Sequence, residues 1–253
     1  FNILFSPTFR LQSIIIATLI DMSKLFVVPT PIGNLKDITQ RAIDVLKTAD
    51  CILAEDTRNT GKLLKLLEIE NRILSHHQNN EHDSVRGVVE MLQSGKKIAI
   101  VSDAGMPGIS DPGFLLIREC IRCEIPVEVL PGPSAILPAL VLSGLPCERF
   151  VFEGFLPTKK GRNTRITSLT DESRTMVFYE SPHRILKTIQ QLAESFGNER
   201  KASVSREISK LHEETIRGTL YSLSEHFIEH KPKGEIVLVV EGNGSSDSVR
   251  KLS

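Results

Sequence analysis

Two adjacent carboxylates, Glu55 and Asp56, directly follow the short apolar run 51–54. A third acid, Asp103, stands after the apolar run 98–101. It opens the loop Ser102-Asp103-Ala104-Gly105-Met106-Pro107-Gly108-Ile109-Ser110-Asp111-Pro112-Gly113. Carboxylates at strand ends can accept hydrogen bonds from hydroxyl or ammonium groups, or take a proton from a weak nucleophile. For Asp56, capping the helical pattern that begins at Arg58 is an equally direct use. Two further loops share the long loop's character, Pro29-Thr30-Pro31-Ile32-Gly33-Asn34 and Pro131-Gly132-Pro133-Ser134-Ala135. Glycine lets a backbone approach a ligand, and proline stiffens a loop so that less entropy is lost on binding. Any one of them reads as a tight turn. Three of them after strands of one sheet read as a ligand-binding edge.

The chain carries no G-x-G-x-x-G and no G-x-x-x-x-G-K-[ST], so nothing supports a nucleotide-phosphate site. A ligand with a nucleoside, an amino-acid end and no phosphate fits better. S-adenosyl-L-methionine is such a molecule, with Asp103 as an acceptor for its ammonium or ribose hydroxyls.

The elements that must hold these loops follow from hydrophobic period and turn signals. Strands are expected at 25–28, 51–54, 98–101 and 127–130. Helices are expected from a cap at Asp37 to about Thr48, then at 58–67, 84–93, 114–122 and 134–142. Strand alternating with helix implies a parallel, doubly wound sheet. Beyond Gly144 and Pro146 the pattern changes. Strands at 150–153, 175–179, 202–205, 213–217 and 235–240, with helices at 163–169, 184–195 and about 220–230, suggest a mixed sheet. The fold class is therefore α/β in two domains, 22–144 and 145–242. Residues 1–21 are expected to be a non-native or disordered leader ahead of Met22, and 243–253 a disordered tail.

Composition narrows the function. With 40% hydrophobic and 25% charged residues, disorder is excluded. The apolar stretch 11–20 is too short to span a membrane. Cys120 and Cys123 have C-x-x-C spacing but no second pair, and Cys51 and Cys147 complete the set; reduced thiols of a cytoplasmic protein are the favoured reading. His76, His77, Glu81, His82 and Asp83 match no zinc spacing, so no metal is expected there and a solvated or RNA-facing loop is. Thirty-one basic and 31 acidic residues cancel, which argues against a loose polyanion binder. The balance is uneven: 24–144 has 13 basic and 15 acidic residues, 145–253 has 17 and 15. Lys159, Lys160, Arg162 and Arg165 lie in an acid-free segment, 157–170, suited to RNA phosphates. His183, Arg184, Arg206 and Lys210 are further candidates for RNA contact, with a helix start or ordinary surface charge as the alternative.

The motifs also carry a resemblance. Val27-Val28-Pro29-Thr30-Pro31-Ile32-Gly33-Asn34-Leu35-Lys36-Asp37-Ile38-Thr39, Ala54-Glu55-Asp56-Thr57-Arg58, the loops 102–113 and 131–135, Gly154-Phe155-Leu156-Pro157, Tyr179-Glu180-Ser181-Pro182-His183-Arg184 and the segment 234–242 occur in consistent order. Together they resemble a family of small-subunit ribosomal RNA methyltransferases within the tetrapyrrole methylase superfamily. The likeness runs from about residue 25 to 242. Met106 departs from the family's Thr, and Arg206-Glu207-Ile208-Ser209-Lys210 varies its R-E-L-T-K.

The resemblance implies a class III methyltransferase fold, with S-adenosyl-L-methionine in a cleft between two α/β domains, and a homodimer. It implies methyl transfer to the ribose 2′-hydroxyl of a cytidine in the decoding region of 16S ribosomal RNA. It further implies cofactor contacts from Pro31, Ser102, Asp103, Ala104, Gly105, Met106, Ser134, Ala135, Glu180 and Gly234, beside Glu55 and Asp56 as catalytic candidates. A tetrapyrrole C-methyltransferase is the alternative enzyme, disfavoured by the long loop, which replaces a shorter G-G-D-P type. A non-catalytic RNA-binding assembly factor is the alternative from another class.

Overall fold

A computed structural model describes residues 23–77 and 81–244; the expected leader and all of the expected tail except Asn243 and Gly244 lie outside them. The described residues form two compact units, meeting at Pro133 and Ser134.

The first unit contains β1 (Lys24–Val27), α1 (Gln40–Thr48), β2 (Cys51–Ala54), α2 (Thr57–Leu66), β3 (Ile73–Ser75), α3 (Glu81–Gln93), β4 (Lys97–Val101), α4 (Phe114–Arg122) and β5 (Val127–Val129). Its strands pair in the order β3-β2-β4-β1-β5, all parallel. Successive side chains alternate between two apolar layers, as strand geometry requires. Leu25, Val27, Leu53, Ile98 and Ile100 pack with Val88 and Leu92 of α3 and Leu116 and Cys120 of α4. Val28, Ile52, Ala54, Ala99 and Val101 pack with Ala42 and Leu46 of α1 and Leu64 of α2. The chain therefore leaves β1 toward one face and β4 toward the other. Adjacent strands whose connections part in this way define a switch point, where open α/β sheets bind ligands.

The second unit contains α5 (Ile136–Ser143), β6 (Phe150–Phe155), α6 (Arg162–Ser168), β7 (Thr175–Glu180), α7 (Ile185–Phe196), β8 (Lys201–Arg206), β9 (Glu214–Thr219), α8 (Leu220–Glu229) and β10 (Ile236–Val240). Its sheet order is β6-β7-β10-β8-β9. Only the β6–β7 pair is parallel, so this is the mixed sheet expected. One face packs Met176, Phe178, Ile236, Leu238 and Val240 against α7 and α8.

Three details differ from the sequence reading. Helix α5 contacts β8, β9 and β10, so the division falls before it at Pro133–Ser134 rather than after it at residue 144. Gly144, in the left-handed conformation, ends a helix there and not a domain. The cap of α1 is Thr39, whose hydroxyl accepts from Ala42 N at 3.1 Å; Asp37 instead closes a 3-10 turn, Leu35–Asp37. Strand β3 is only three residues long and gave no sequence signal.

Candidate cofactor and catalytic edge

The loops after β1 and β4 are tied to each other across the switch point. Thr30 N donates to Gly105 O (2.9 Å) and Gly105 N donates to Thr30 O (3.0 Å), an isolated antiparallel bridge. The Thr30 hydroxyl donates to Ser102 O at 3.0 Å, and the Ser102 hydroxyl turns toward Gly105 O at 3.3 Å. Thr30 and Ser102 are buried, so these bonds are sheltered from water. The third loop is drawn in by close approach. A Cβ on Gly132 would stand 2.7 Å from Pro29 Cγ, which leaves glycine as the residue that fits. The structure thus brings together Pro31, Ser102, Asp103, Ala104 and Gly105 at the carboxyl end of one sheet.

The carboxylates gather at the same edge. Glu55 and Asp56 leave the end of β2, and Asp103 leaves β4, its immediate neighbour. Asp103 Oδ1 accepts from Asp56 N (3.2 Å), Asp103 Oδ2 accepts from Asn59 Nδ2 (2.9 Å), and Asp103 N points at Glu55 Oε2 (3.4 Å). Burial pushes the Glu55 carboxyl above its ordinary range, with the negative charge of Asp103 adding to the effect and the Asp103 N–H opposing it. Asp111 joins the cluster from the far end of the loop. Burial raises its carboxyl to about 6; the charge of Glu55 adds to this, and the Ser102 hydroxyl opposes it. Sequence reading passed over Asp111 and Asn59. The Ser-Asp-Pro-Gly end of the loop, with a second acid eight residues after Asp103, was the available signal for the first.

Asp56 is a helix cap. Its Oδ1 accepts from Arg58 N at 2.8 Å, and both its oxygens pair with the Arg58 guanidinium, at 3.0 and 2.6 Å. That guanidinium holds the Asp56 carboxyl far below the usual carboxylate range. Oδ1 thus caps the helix and Oδ2 is held by the guanidinium, which leaves Glu55 as the less engaged of the two carboxylates.

Several other expected site residues have internal duties. Met106 packs against the apolar layer under α3 and α4. Glu180 is buried, with Oε1 accepting from Ser181 N (2.8 Å) and Arg184 Nε (2.7 Å), and Oε2 from the Thr188 hydroxyl (2.6 Å). Its oxygens are engaged by these partners inside the second unit. Arg162, expected on RNA, is 6% exposed and is spent on Thr188 (2.6 Å), Gln191 (2.8 Å) and Pro157 O (3.2 Å). Arg184 pairs with the same Glu180. Gly234 has a φ of +87°, and a Cβ there would overlap the Glu207 carboxylate. Glu207 in turn accepts from Glu235 N (3.0 Å) and Lys210 Nζ (2.9 Å).

Of the remaining basic candidates, Arg165 pairs with Glu153, Arg206 with Glu214, and Lys210 also with Glu235. Lys159, Lys160 and His183 are exposed. Ser134 and Ala135 belong to the second unit, where Ser134 Oγ accepts from Ile136 N (3.3 Å) at the start of α5.

His76 and Glu81 are not in a solvated loop. Both are buried; His76 Nδ1 meets the Ser84 hydroxyl at 2.8 Å, and its Nε2 lies 3.9 Å from Glu81 Oε1. The side chains of His82 and Asp83 lie outside the described residues. Cys120 sits in the core, where burial pushes its thiol up to about 12. No helix among the described residues is long and apolar enough to cross a membrane.

Comparison with known proteins gives a consistent answer. The sequence profile of the Tetrapyrrole (Corrin/Porphyrin) Methylases matches residues 24–224. A Thermotoga maritima protein named Ribosomal RNA small subunit methyltransferase I is 48% identical over 87% of this chain and 99% of its own length. Proteins of the same name from Synechocystis and Bacillus subtilis are 48% and 45% identical, over 89% and 90% of this chain and 81% and 78% of their own. Among solved structures, a uroporphyrin-III-C-methyltransferase from Thermus thermophilus covers 91% of this chain and 98% of its own, with a TM-score of 0.61 and 20% identity. A cobalt precorrin-4 methyltransferase covers 88% and 96%, with a TM-score of 0.64 and 14% identity. At those identities the two structures speak for the fold.

Proposed function

The chain belongs to the Tetrapyrrole (Corrin/Porphyrin) Methylases, and from that premise we propose that it is an S-adenosyl-L-methionine-dependent methyltransferase acting on small-subunit ribosomal RNA. The acceptor is the ribose 2′-hydroxyl of a cytidine in the decoding region of 16S ribosomal RNA. The enzyme works in the cytoplasm as a homodimer. The observation that carries the reading is the carboxylate edge built on the Thr30–Gly105 bridge, in a chain 48% identical to a named ribosomal RNA methyltransferase across nearly all of that relative.

The donor set suits the cofactor. S-adenosyl-L-methionine bears a sulfonium and an ammonium against one carboxylate, a net positive charge. Glu55, Asp103 and Asp111 offer it a negative, partly desolvated surface, and the loop carbonyls offer further acceptors. When bound, the cofactor supplies a methyl group already activated by its sulfonium.

Most of the protein's work is then placement. Two stiff loops locked by reciprocal backbone bonds hold the acceptors still, so little freedom is lost on binding. The ribose hydroxyl is a weak nucleophile and would have to shed its proton as its oxygen takes the methyl carbon and the bond from that carbon to sulfur breaks, leaving a neutral thioether. Glu55, with its affinity for protons raised by burial, accepts that proton. Asp103 and Asn59 fix the backbone around it.

The deciding experiment is mass spectrometry of small-subunit RNA from cells with and without the gene. Loss of one 2′-O-methylcytidine is expected. A methyl lost from a base carbon or nitrogen, or an unchanged RNA beside methylation of a uroporphyrin-like acceptor by the purified protein, overturns the reading.

A further inference from the structure

The second unit carries an aromatic cluster that the chemistry above does not use. Phe152, Phe155 and Tyr179 are close: the Phe152 and Tyr179 centroids are 5.1 Å apart, edge to face, and those of Phe155 and Tyr179 are 5.5 Å apart. Strand alternation would send residues 152 and 155 to opposite faces. A bulge between Phe152 and Gly154 shifts the register so that Phe155 stands opposite Tyr179. Glu153, at the bulge, is held by Arg165. The result is costly to explain as packing, because Phe155 is 56% exposed while the next residue, Leu156, is 2% exposed. The platform sits on an edge strand, and Lys159 and Lys160 follow it within five residues, both exposed.

We propose that Phe155, backed by Tyr179 and Phe152, is a stacking platform for one unpaired base of the RNA substrate, with Lys159 and Lys160 receiving the adjoining phosphates. A flat aromatic face beside cations is the chemistry that recognises splayed-out single-stranded bases. This rests on the RNA reading above. It adds a specificity element carried by the second unit and explains why only part of the basic segment is left for RNA, since Arg162 and Arg165 are spent on the scaffold that presents Phe155.

The test uses the full chain and a fluorescein-labelled, single-stranded oligocytidine 12-mer, read by polarisation at fixed salt. Phe155→Ala is expected to weaken binding about 5- to 50-fold, in line with a lost base–aromatic stack. Phe155→Leu keeps apolar bulk without a π-face and is expected to lose as much, whereas Phe155→Trp holds affinity within about 2-fold. The double substitution K159A/K160A is expected to flatten the log–log salt slope by about 1.4, two phosphates' worth on a single strand. Calorimetry with S-adenosyl-L-methionine should be unchanged in each variant, which controls for folding. On small ribosomal subunits, Phe155→Leu should raise KM more than it lowers kcat.

Wild-type affinity in Phe155→Leu overturns the platform while leaving the RNA reading intact. So does a shift to monomers in sedimentation with RNA affinity unchanged, which would make the patch an interface between copies. A wild-type chain that ignores RNA and methylates a tetrapyrrole overturns the reading underneath.

Discussion

The carboxylate of Glu81 holds the backbone of Gly113. Glu81 Oε1 accepts from Gly113 N at 2.9 Å and from Leu115 N at 3.0 Å, both at the start of α4. The first turn of a helix leaves N–H groups without partners, and Gly113 has no side chain to cap them. A buried acid from the start of α3 supplies the acceptor instead, and so fastens the far end of the 102–113 loop. Glu81→Ala should therefore lower unfolding free energy by about 2 kcal/mol, as buried donors lose their acceptor, and weaken cofactor binding as the loop loosens. Glu81→Gln keeps one acceptor oxygen and should lose less of both. Urea unfolding and calorimetry check the pair; equal behaviour of the two variants would refute the acceptor role.

The neighbours Glu55 and Asp56 should separate cleanly. Asp56→Asn keeps a good capping side chain and should retain turnover, with a slightly lower melting midpoint. Glu55→Gln should cut kcat by about 10²- to 10⁴-fold, the range of a lost general base, with a smaller loss of cofactor affinity as one negative charge leaves the edge. Steady-state kinetics on small subunits decide it, and full activity in Glu55→Gln would remove the base assignment.

Asp111 predicts a pH dependence. Its carboxyl is raised from 3.8 to about 6, so the folded chain binds a proton more readily than the unfolded one. The stability this contributes is fully present below pH ~3.8 and is lost as pH rises through about 6. Relative to Asp111→Asn, the wild-type chain should therefore lose stability between pH 4 and pH 6.5 or so. Affinity for the positively charged cofactor should run the other way, rising across the same window as the carboxylate forms. Denaturation and calorimetry at stepped pH test both; parallel curves for the two proteins would show that Asp111 does not titrate there.

Glu180→Ala should be a stability variant. It leaves the buried Arg162 guanidinium, 3.8 Å from Glu180 Oε2, without its counter-charge, at a cost of about 3 to 5 kcal/mol. Cofactor affinity of the fraction that folds should match the wild-type chain. A selective loss of cofactor binding without loss of stability would return Glu180 to the site.

What the sequence disclosed, and what it hid, divides along physical lines. The buried strands and glycine–proline loops were legible because period and turn chemistry are local. The loop 102–113 stands out by its glycines and prolines, whereas its bridge to Thr30, more than 70 positions away, has no local signal. The fate of charges was not legible. Arg162 and Lys159 look alike in an acid-free run, yet one is buried against residues 26 and 29 positions away and the other faces water. Asp111 matters because folding sets it near Glu55, 56 positions earlier in the chain. The register shift that turns Phe155 toward Tyr179 likewise depends on the neighbouring strand.

The strand order of the second sheet bears on how the chain is made. The first sheet is complete once β5 has been synthesised, so it can close while the remainder is still emerging. In the second sheet the last strand, β10, lies in the middle, between β7 and β8. Until it arrives, β7 and β8 have no partner on their inner edges, and each is an open template for another chain. Vectorial synthesis thus delivers an early, self-sufficient half and a late half that locks with its final strand. A nascent chain paused before residue 236 is the form most exposed to aggregation.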